Sequence, residues 1–239
     1  MKHVKKEETR IALITGASRG LGESLAGALA RRGWTLILNA RGEQALDIVR
    51  RRLEQETRVF AVAGSVADPN TRQALASAVE EAGGLDALIN NASILGPSPQ
   101  PRLLDYSIET LADVYAVNTF APLALIQAVR GSLRPGARII NVTSDAGLEA
   151  YEGWGGYGSS KAALEHISAI LAAEEPQWRV YRVDPGDMRT QMHQEAFPGE
   201  DIGDRPLPEV SVPGLVELLE GDNPSGRYVA RDLTGRASS

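Results

Sequence analysis

The chain has 239 residues, no cysteine, and 25 Lys plus Arg against 31 Asp plus Glu, for a formal charge of −6. The missing cysteine excludes disulfides, thiolate metal sites and covalent thiol chemistry, and the acidic balance argues against a nucleic-acid partner. A charged start and the lack of any apolar run near ~18 residues predict a cytoplasmic protein without a membrane span, folded as a single domain over residues 1–239.

The first eight and last few residues are expected to fray. A short apolar run at 11–14 predicts the first strand. It is followed by Thr15-Gly-Ala-Ser-Arg-Gly-Leu-Gly22 and an amphipathic helix over 22–31. Gly16, Gly20 and Gly22 allow a tight turn and close approach of a pyrophosphate, with Ser18, Arg19 and Leu21 between them at a helix N-terminus. The spacing is Gly-x3-Gly-x-Gly, without the Gly-Lys-Ser/Thr ending of a triphosphate loop. The second strand, 36–38, runs into Asn39-Ala40-Arg41, where a dinucleotide fold for NAD commonly carries an acid. Arg41, with Arg19, suits the 2′-phosphate of NADP(H); the alternative makes Arg41 a solvated side chain and Glu43 the ribose ligand.

A helix over 43–55, a strand at 59–62 with Ser65 and Val66 beyond it, and a helix over 70–82 come next. The strand at 87–89 ends in Asn90-Asn91-Ala92-Ser93, whose amides either line a pocket or only make a turn. One long helix is predicted over 107–131, then a strand at 139–142 with Ser144 just past it, a helix over 157–173, and a strand at 180–183. Residues 193–212, rich in Pro, Gly and acids, read as a loop or short helical flap, and a flap at about 188–210 is expected to cover a substrate. A helix over 210–219 and a strand at 228–230 close the chain. The alternation predicts an α/β fold, a doubly wound parallel sheet of about seven strands flanked by helices, Rossmann-like, with ligands at the carboxyl ends of the strands.

Tyr157 and Lys161 are four residues apart, so a helix puts them on one face, with Ser144 thirteen residues upstream of the tyrosine. A phenol with an ordinary pKa near ~10 is a poor acid or base at neutral pH. A neighbouring ammonium stabilises its anion. A Ser144 hydrolase is disfavoured because the Gly-x-Ser-x-Gly elbow is absent and none of His3, His166 and His193 is well placed.

Over about residues 9–232 the chain resembles the short-chain dehydrogenase/reductase family: Thr15 to Gly22 resembles its cofactor loop, Asn90 to Ser93 its Asn-Asn-Ala-Gly segment, Asn118, Ser144, Tyr157 and Lys161 its catalytic tetrad, and Pro185 to Thr190 its nicotinamide-side loop. The resemblance implies hydride transfer between nicotinamide and a carbonyl or carbinol carbon. Tyr157 would be the acid or base, Ser144 the orienter of the reacting oxygen, Lys161 the ribose ligand and pKa modulator, and Asn118 the holder of a water. Asn91, Ala92, Ser65, Val66, Pro185, Gly186, Met188 and Thr190 would contact the cofactor. Ser93 for glycine and Ser65 for an aspartate depart from the pattern.

The expected activity is NADPH-dependent reduction of a small or medium ketone or aldehyde. Alternatives are an NAD-dependent secondary alcohol dehydrogenase and a non-catalytic cofactor-binding regulator. Ile94, Leu95, Ala146, Trp154, Met188, Met192 and Phe197 are expected on an apolar substrate wall with few charges. Apolar faces near 111–129 and 162–172 imply, through the resemblance, a homodimer or homotetramer; simple helix packing is the alternative. No metal site is expected.

Overall fold

The computed structural model describes residues 9–235, and the expected fraying of the two ends lies outside the described residues. The strands are β1 (Ile11–Thr15), β2 (Thr35–Ala40), β3 (Val59–Ala63), β4 (Leu85–Asn90), β5 (Leu133–Val142), β6 (Arg179–Asp184) and β7 (Gly226–Val229). Among the described residues they form one parallel sheet in the order β3-β2-β1-β4-β5-β6-β7. The order reverses between β1 and β4, so their carboxyl ends open a crevice there.

The central strands β1 and β2 are nearly continuous apolar runs, buried throughout, because both faces are covered. On one face Ala12, Ile14, Leu36, Leu38, Ile89 and Ile140 pack under α1 (Gly20–Ala30), α2 (Glu43–Leu53) and, late in the chain, Leu215 and Leu219 of a helix at Val212–Glu220. On the other, Ile11, Leu13, Ile37, Leu88 and Ile139 pack under α3 (Pro69–Ala82) and the helices that follow β4. Residues alternate between the faces along each strand, so a shift of one register would exchange the two cores. Each such fully buried aliphatic side chain contributes about 1.5–3 kcal/mol.

The helix predicted over 107–131 is divided into α4 (Ile108–Tyr115), one π-helical turn at Ala116–Phe120, and α5 (Ala121–Val129). Pro122 has no N–H with which to close an α-type bond on the Asn118 carbonyl, and a π turn absorbs the defect. The helical stretch Ile108–Ser132 is long and apolar enough by composition to cross a membrane. Here it packs beside α3 and α6 (Gly155–Glu174), leaving Ile108 and Phe120 exposed. β5 begins at Leu133, before the predicted 139, because Leu133 pairs with Leu85 across a register shift. In the irregular region α7 (Gln191–Ala196) is a short helix capped by Thr190 Oγ1, and α8 (Val212–Glu220) follows.

Candidate active site

The glycine turn lies where the tips of β1 and β4 meet. Thr15 Oγ1 accepts the backbone amides of Asn91 and Ala92, each at 3.0 Å, while Asn91 Nδ2 donates to the carbonyls of Thr15 at 2.9 Å and Gly16 at 3.2 Å. Gly16 adopts φ +66°, and a Cβ on Gly22 would stand 2.4 Å from the Gly16 carbonyl oxygen. Both positions therefore require glycine. The N-cap of α1, Arg19, makes no side-chain cap, so amides of the first turn, at Gly20, Leu21 and Gly22, are open to an anion. The cradle fits a pyrophosphate.

Arg41 is exposed at the tip of β2 and makes no ion pair among the described residues. Arg19 does not join it: its guanidinium donates to Gln191 Oε1 on α7. The two arginines expected on one phosphate are thus apart here, Arg41 without an ion pair among the described residues and Arg19 held by α7. Ser65 Oγ accepts the amide of Ala67 at 3.3 Å, shaping the turn, and Val66 is buried.

Tyr157 and Lys161 sit one turn apart on α6, as their spacing predicts. Lys161 is 2% exposed; its Nζ donates to the Val142 carbonyl at 2.8 Å and lies 5.4 Å from the centre of the Tyr157 ring. Burial lowers its pKa to about 8, against an opposing pull from Glu165. Burial pushes the Tyr157 phenol well up; a hydrogen bond with Ser144 works against that, and the charges of Asp184 and Asp145 add to it. Ser144 caps a short turn: its hydroxyl donates to Asp145 Oδ1 at 2.9 Å and accepts the amide of Ala146 at 3.2 Å.

Asn118 is 1% exposed and its amide is saturated. Oδ1 accepts Ser93 Oγ at 3.0 Å and the Ile94 amide at 2.9 Å, while Nδ2 donates to the Ile94 carbonyl at 2.9 Å and Ser160 Oγ at 3.0 Å. The side chain clasps the loop after β4 and has no lone pair or proton left over for a water. Ser93, the departure from glycine, supplies one of these bonds. Ile94, expected on the substrate wall, holds Asn118 through its backbone amide and carbonyl and is not among the residues that border the cavity described next.

That cavity, about 510 Å³, opens over Ser144 and Tyr157 and is bounded by Trp154, Met188, Met192 and Phe197. The Trp154 ring lies 5.7 Å from Tyr157 and 5.9 Å from Phe197, centre to centre. Pro185, Gly186 and Thr190 border it from the loop after β6, where Gly186 N donates to Asp184 Oδ1 at 2.8 Å. The sequence model of the short chain dehydrogenase family matches residues 10–201.

The chain belongs to that family. Among its relatives, sepiapterin reductase from Xenopus tropicalis is 32% identical over 240 residues, covering 89% of this chain and 92% of the other. A short chain dehydrogenase from Salmonella enterica serovar Typhi superposes with TM-score 0.86 at 28% identity, covering 94% and 96% of the two chains. An alcohol dehydrogenase from Thermococcus sibiricus, complexed with 5-hydroxy-NADP, gives TM-score 0.84 at 29% identity, covering 93% and 96%. The protein is therefore a short-chain dehydrogenase, an oxidoreductase working with a nicotinamide dinucleotide.

Several residues of this dehydrogenase site were not singled out as site residues from the sequence. Asn90 Nδ2 donates to Asn141 Oδ1 at 2.8 Å, Asn141 Nδ2 to Ser168 Oγ at 2.7 Å, and Ser168 Oγ to the Leu164 carbonyl at 2.6 Å. This buried ladder joins β4, β5 and the helix that carries Tyr157 and Lys161. Thr143 and Asp145 reach the cavity from the segment after β5, Asp187 from the loop after β6 and His193 from α7. A strand-end position was the one available signal for Thr143 and Asp145.

Lys161 gives a pH test of the dehydrogenase core. Its native pKa, about 8, is below the ordinary 10.5. Between those values the unfolded chain binds more protons, so this group's contribution to stability rises with pH across that window and is least favourable below it. The stability of wild type minus that of Lys161→Met is expected to climb between pH 8 and 10.5, by roughly 3 kcal/mol at most. Urea melts across that range measure it, and a flat difference would contradict the burial of a charged amine.

Proposed function

We propose that this short-chain dehydrogenase is an NADPH-dependent carbonyl reductase that converts a small or medium ketone or aldehyde to the alcohol by direct hydride transfer. The dinucleotide, when bound, supplies the hydride. Tyr157 gives a proton to the developing alkoxide, Ser144 orients the reacting oxygen, and Lys161 holds the nicotinamide ribose and steadies the tyrosinate. The Asn118 carbonyl, which Pro122 cannot satisfy with an amide, is the group that holds a water; its side chain is not. Backbone from Pro185 to Met188, with Thr190, holds the carboxamide. Residues 188–210 act as a flap, and the molecule is a cytoplasmic homodimer or homotetramer, self-association being supported by exposed Leu104, Ile108 and Phe120; a monomer in sedimentation would remove that element.

One observation carries the reading: Tyr157 and Ser144 border one aromatic-walled cavity, and the buried ammonium of Lys161 lies 5.4 Å from the centre of the phenol ring. NADP as the cofactor is supported by the unpaired guanidinium of Arg41 and by the NADP derivative in the similar Thermococcus enzyme. A panel of ketones and aldehydes, followed by loss of the NADPH absorbance band, tests both parts. NADPH is expected to exceed NADH in kcat/KM, and Arg41→Asp to shrink that preference by about 10- to 100-fold, through loss of a charged contact to phosphate. No oxidation of NADPH with any carbonyl would end the reductase reading; a preference untouched by Arg41→Asp would end the assignment of Arg41.

A further inference from the structure

The substrate cavity is more acidic than an apolar wall should be. Four carboxylates border it, Asp145, Glu152, Asp184 and Asp187, and no Lys or Arg does. Three of the four have cations behind them: Asp184 meets Arg227 at 3.4 Å, Asp187 meets Arg205 at 3.9 Å, and Glu152 meets Arg102 at 3.7 Å. Asp145 has none among the described residues. Its Oδ2 accepts the Tyr151 hydroxyl at 3.1 Å and its Oδ1 accepts the Ser144 hydroxyl at 2.9 Å and the Ala146 amide at 2.8 Å, which leaves this exposed carboxylate hydrogen-bonded to neutral donors alone.

A second feature points the same way. Thr143, on the other side of Ser144 in sequence, is 1% exposed, borders the cavity, and has an Oγ1 with no hydrogen-bond partner. A buried hydroxyl left unsatisfied on a cavity wall is a polar contact waiting for a ligand. Asp145 and Thr143 together offer acceptors on both sides of the serine, and Tyr151 and Trp154, 6.4 Å apart between ring centres, add the faces that attract cations.

We propose that Asp145, with Thr143, anchors a cationic group, so that the preferred substrates are carbonyl compounds bearing a protonated amine within a few bonds of the carbonyl. The inference rests on the carbonyl reductase reading and narrows its substrate class. The short spacing follows from contact: the carboxylate touches the same hydroxyl that orients the reacting oxygen. The contact also couples recognition to turnover. Ser144 has one hydroxyl proton, and Asp145 Oδ1, 2.9 Å away, competes for it with the Tyr157 phenol oxygen. An ammonium that takes over the carboxylate releases this proton for the carbonyl oxygen, whereas a neutral ketone must compete for it. The cation therefore raises kcat as well as lowering KM.

Two isosteres test this: 2-amino-1-phenylethanone and propiophenone, which differ by an ammonium in place of a methyl group. Wild type with NADPH is expected to favour the amine by about 10- to 100-fold in kcat/KM, the range of a hydrogen bond to a charged group. Benzoylacetate, with a carboxylate on the same side, should be the poorest of the three. The decisive quantity is the amine-to-neutral ratio in Asp145→Asn, because damage to the fold lowers both substrates together and an inductive effect of the ammonium survives the substitution. The ratio is expected to fall at least about tenfold, and Thr143→Val should lower it in the same direction. A ratio unchanged in Asp145→Asn overturns the proposal while leaving the reductase standing, provided that propiophenone is still reduced and that this reduction depends on Tyr157. If wild type reduces neither compound nor any other carbonyl, both readings fall.

Discussion

Tyr157→Phe is expected to cut carbonyl reduction by about 10²- to 10⁴-fold, the usual contribution of a positioned proton donor, with little change in cofactor affinity. The phenol is the acidic group nearest the reacting oxygen in this reading, and phenylalanine keeps the ring that packs 5.7 Å from Trp154. The loss should therefore appear in kcat and not in the melting temperature. Burial pushes the phenol's pKa up, so it stays protonated and able to donate throughout the neutral range. Stopped-flow hydride transfer and a fluorescence titration with NADPH separate the two effects. Turnover surviving intact would transfer proton donation to some other group and dissolve the catalytic assignment.

Gly22→Ala is the second large effect. A methyl group there would press to 2.4 Å from the Gly16 carbonyl oxygen and 2.6 Å from Asn91 Nδ2. The carbonyl belongs to the turn itself, and Asn91 is fastened to both Thr15 and Gly16, so neither can retreat without opening the joint between β1 and β4. Overpacking of this kind costs about 1–3 kcal/mol. It should lower the melting temperature and weaken NADPH binding at least tenfold, as the amides at the start of α1 lose their aim. Calorimetry and the same fluorescence titration report both. Unaltered cofactor binding would mean that the pyrophosphate lies elsewhere.

The sheet was legible because strands covered on both faces must be apolar throughout, and helices covered on one face must not be. The glycine turn and the Tyr157–Lys161 pair were legible for a related reason: each depends on local spacing that backbone geometry converts directly into proximity. Features made by distant segments were not. Asn118 could be placed on a helix, but the saturation of its amide depends on Ser93, Ile94 and Ser160, from β4's loop and α6. The π turn needed the combined demands of that clasp and of Pro122, which no helical periodicity registers. Ile94 was expected on the wall because it is apolar and near the rim; only the fold shows that its backbone clasps Asn118. The acidic lining escaped notice because its four members come from two segments far apart in sequence, the loop between β5 and α6 and the end of β6 with the loop after it, and each looks solvated in isolation.

The ladder Asn90–Asn141–Ser168 lies below the reacting groups and shares no residue with the cavity wall. Changing any rung strands its neighbours' polar atoms in a dry interior, so that level resists substitution. Above it, the segments that shape the cavity hang from strand tips and can be rewritten in sequence without disturbing what lies underneath. Such a division lets new specificities arise by loop exchange on an unaltered chassis.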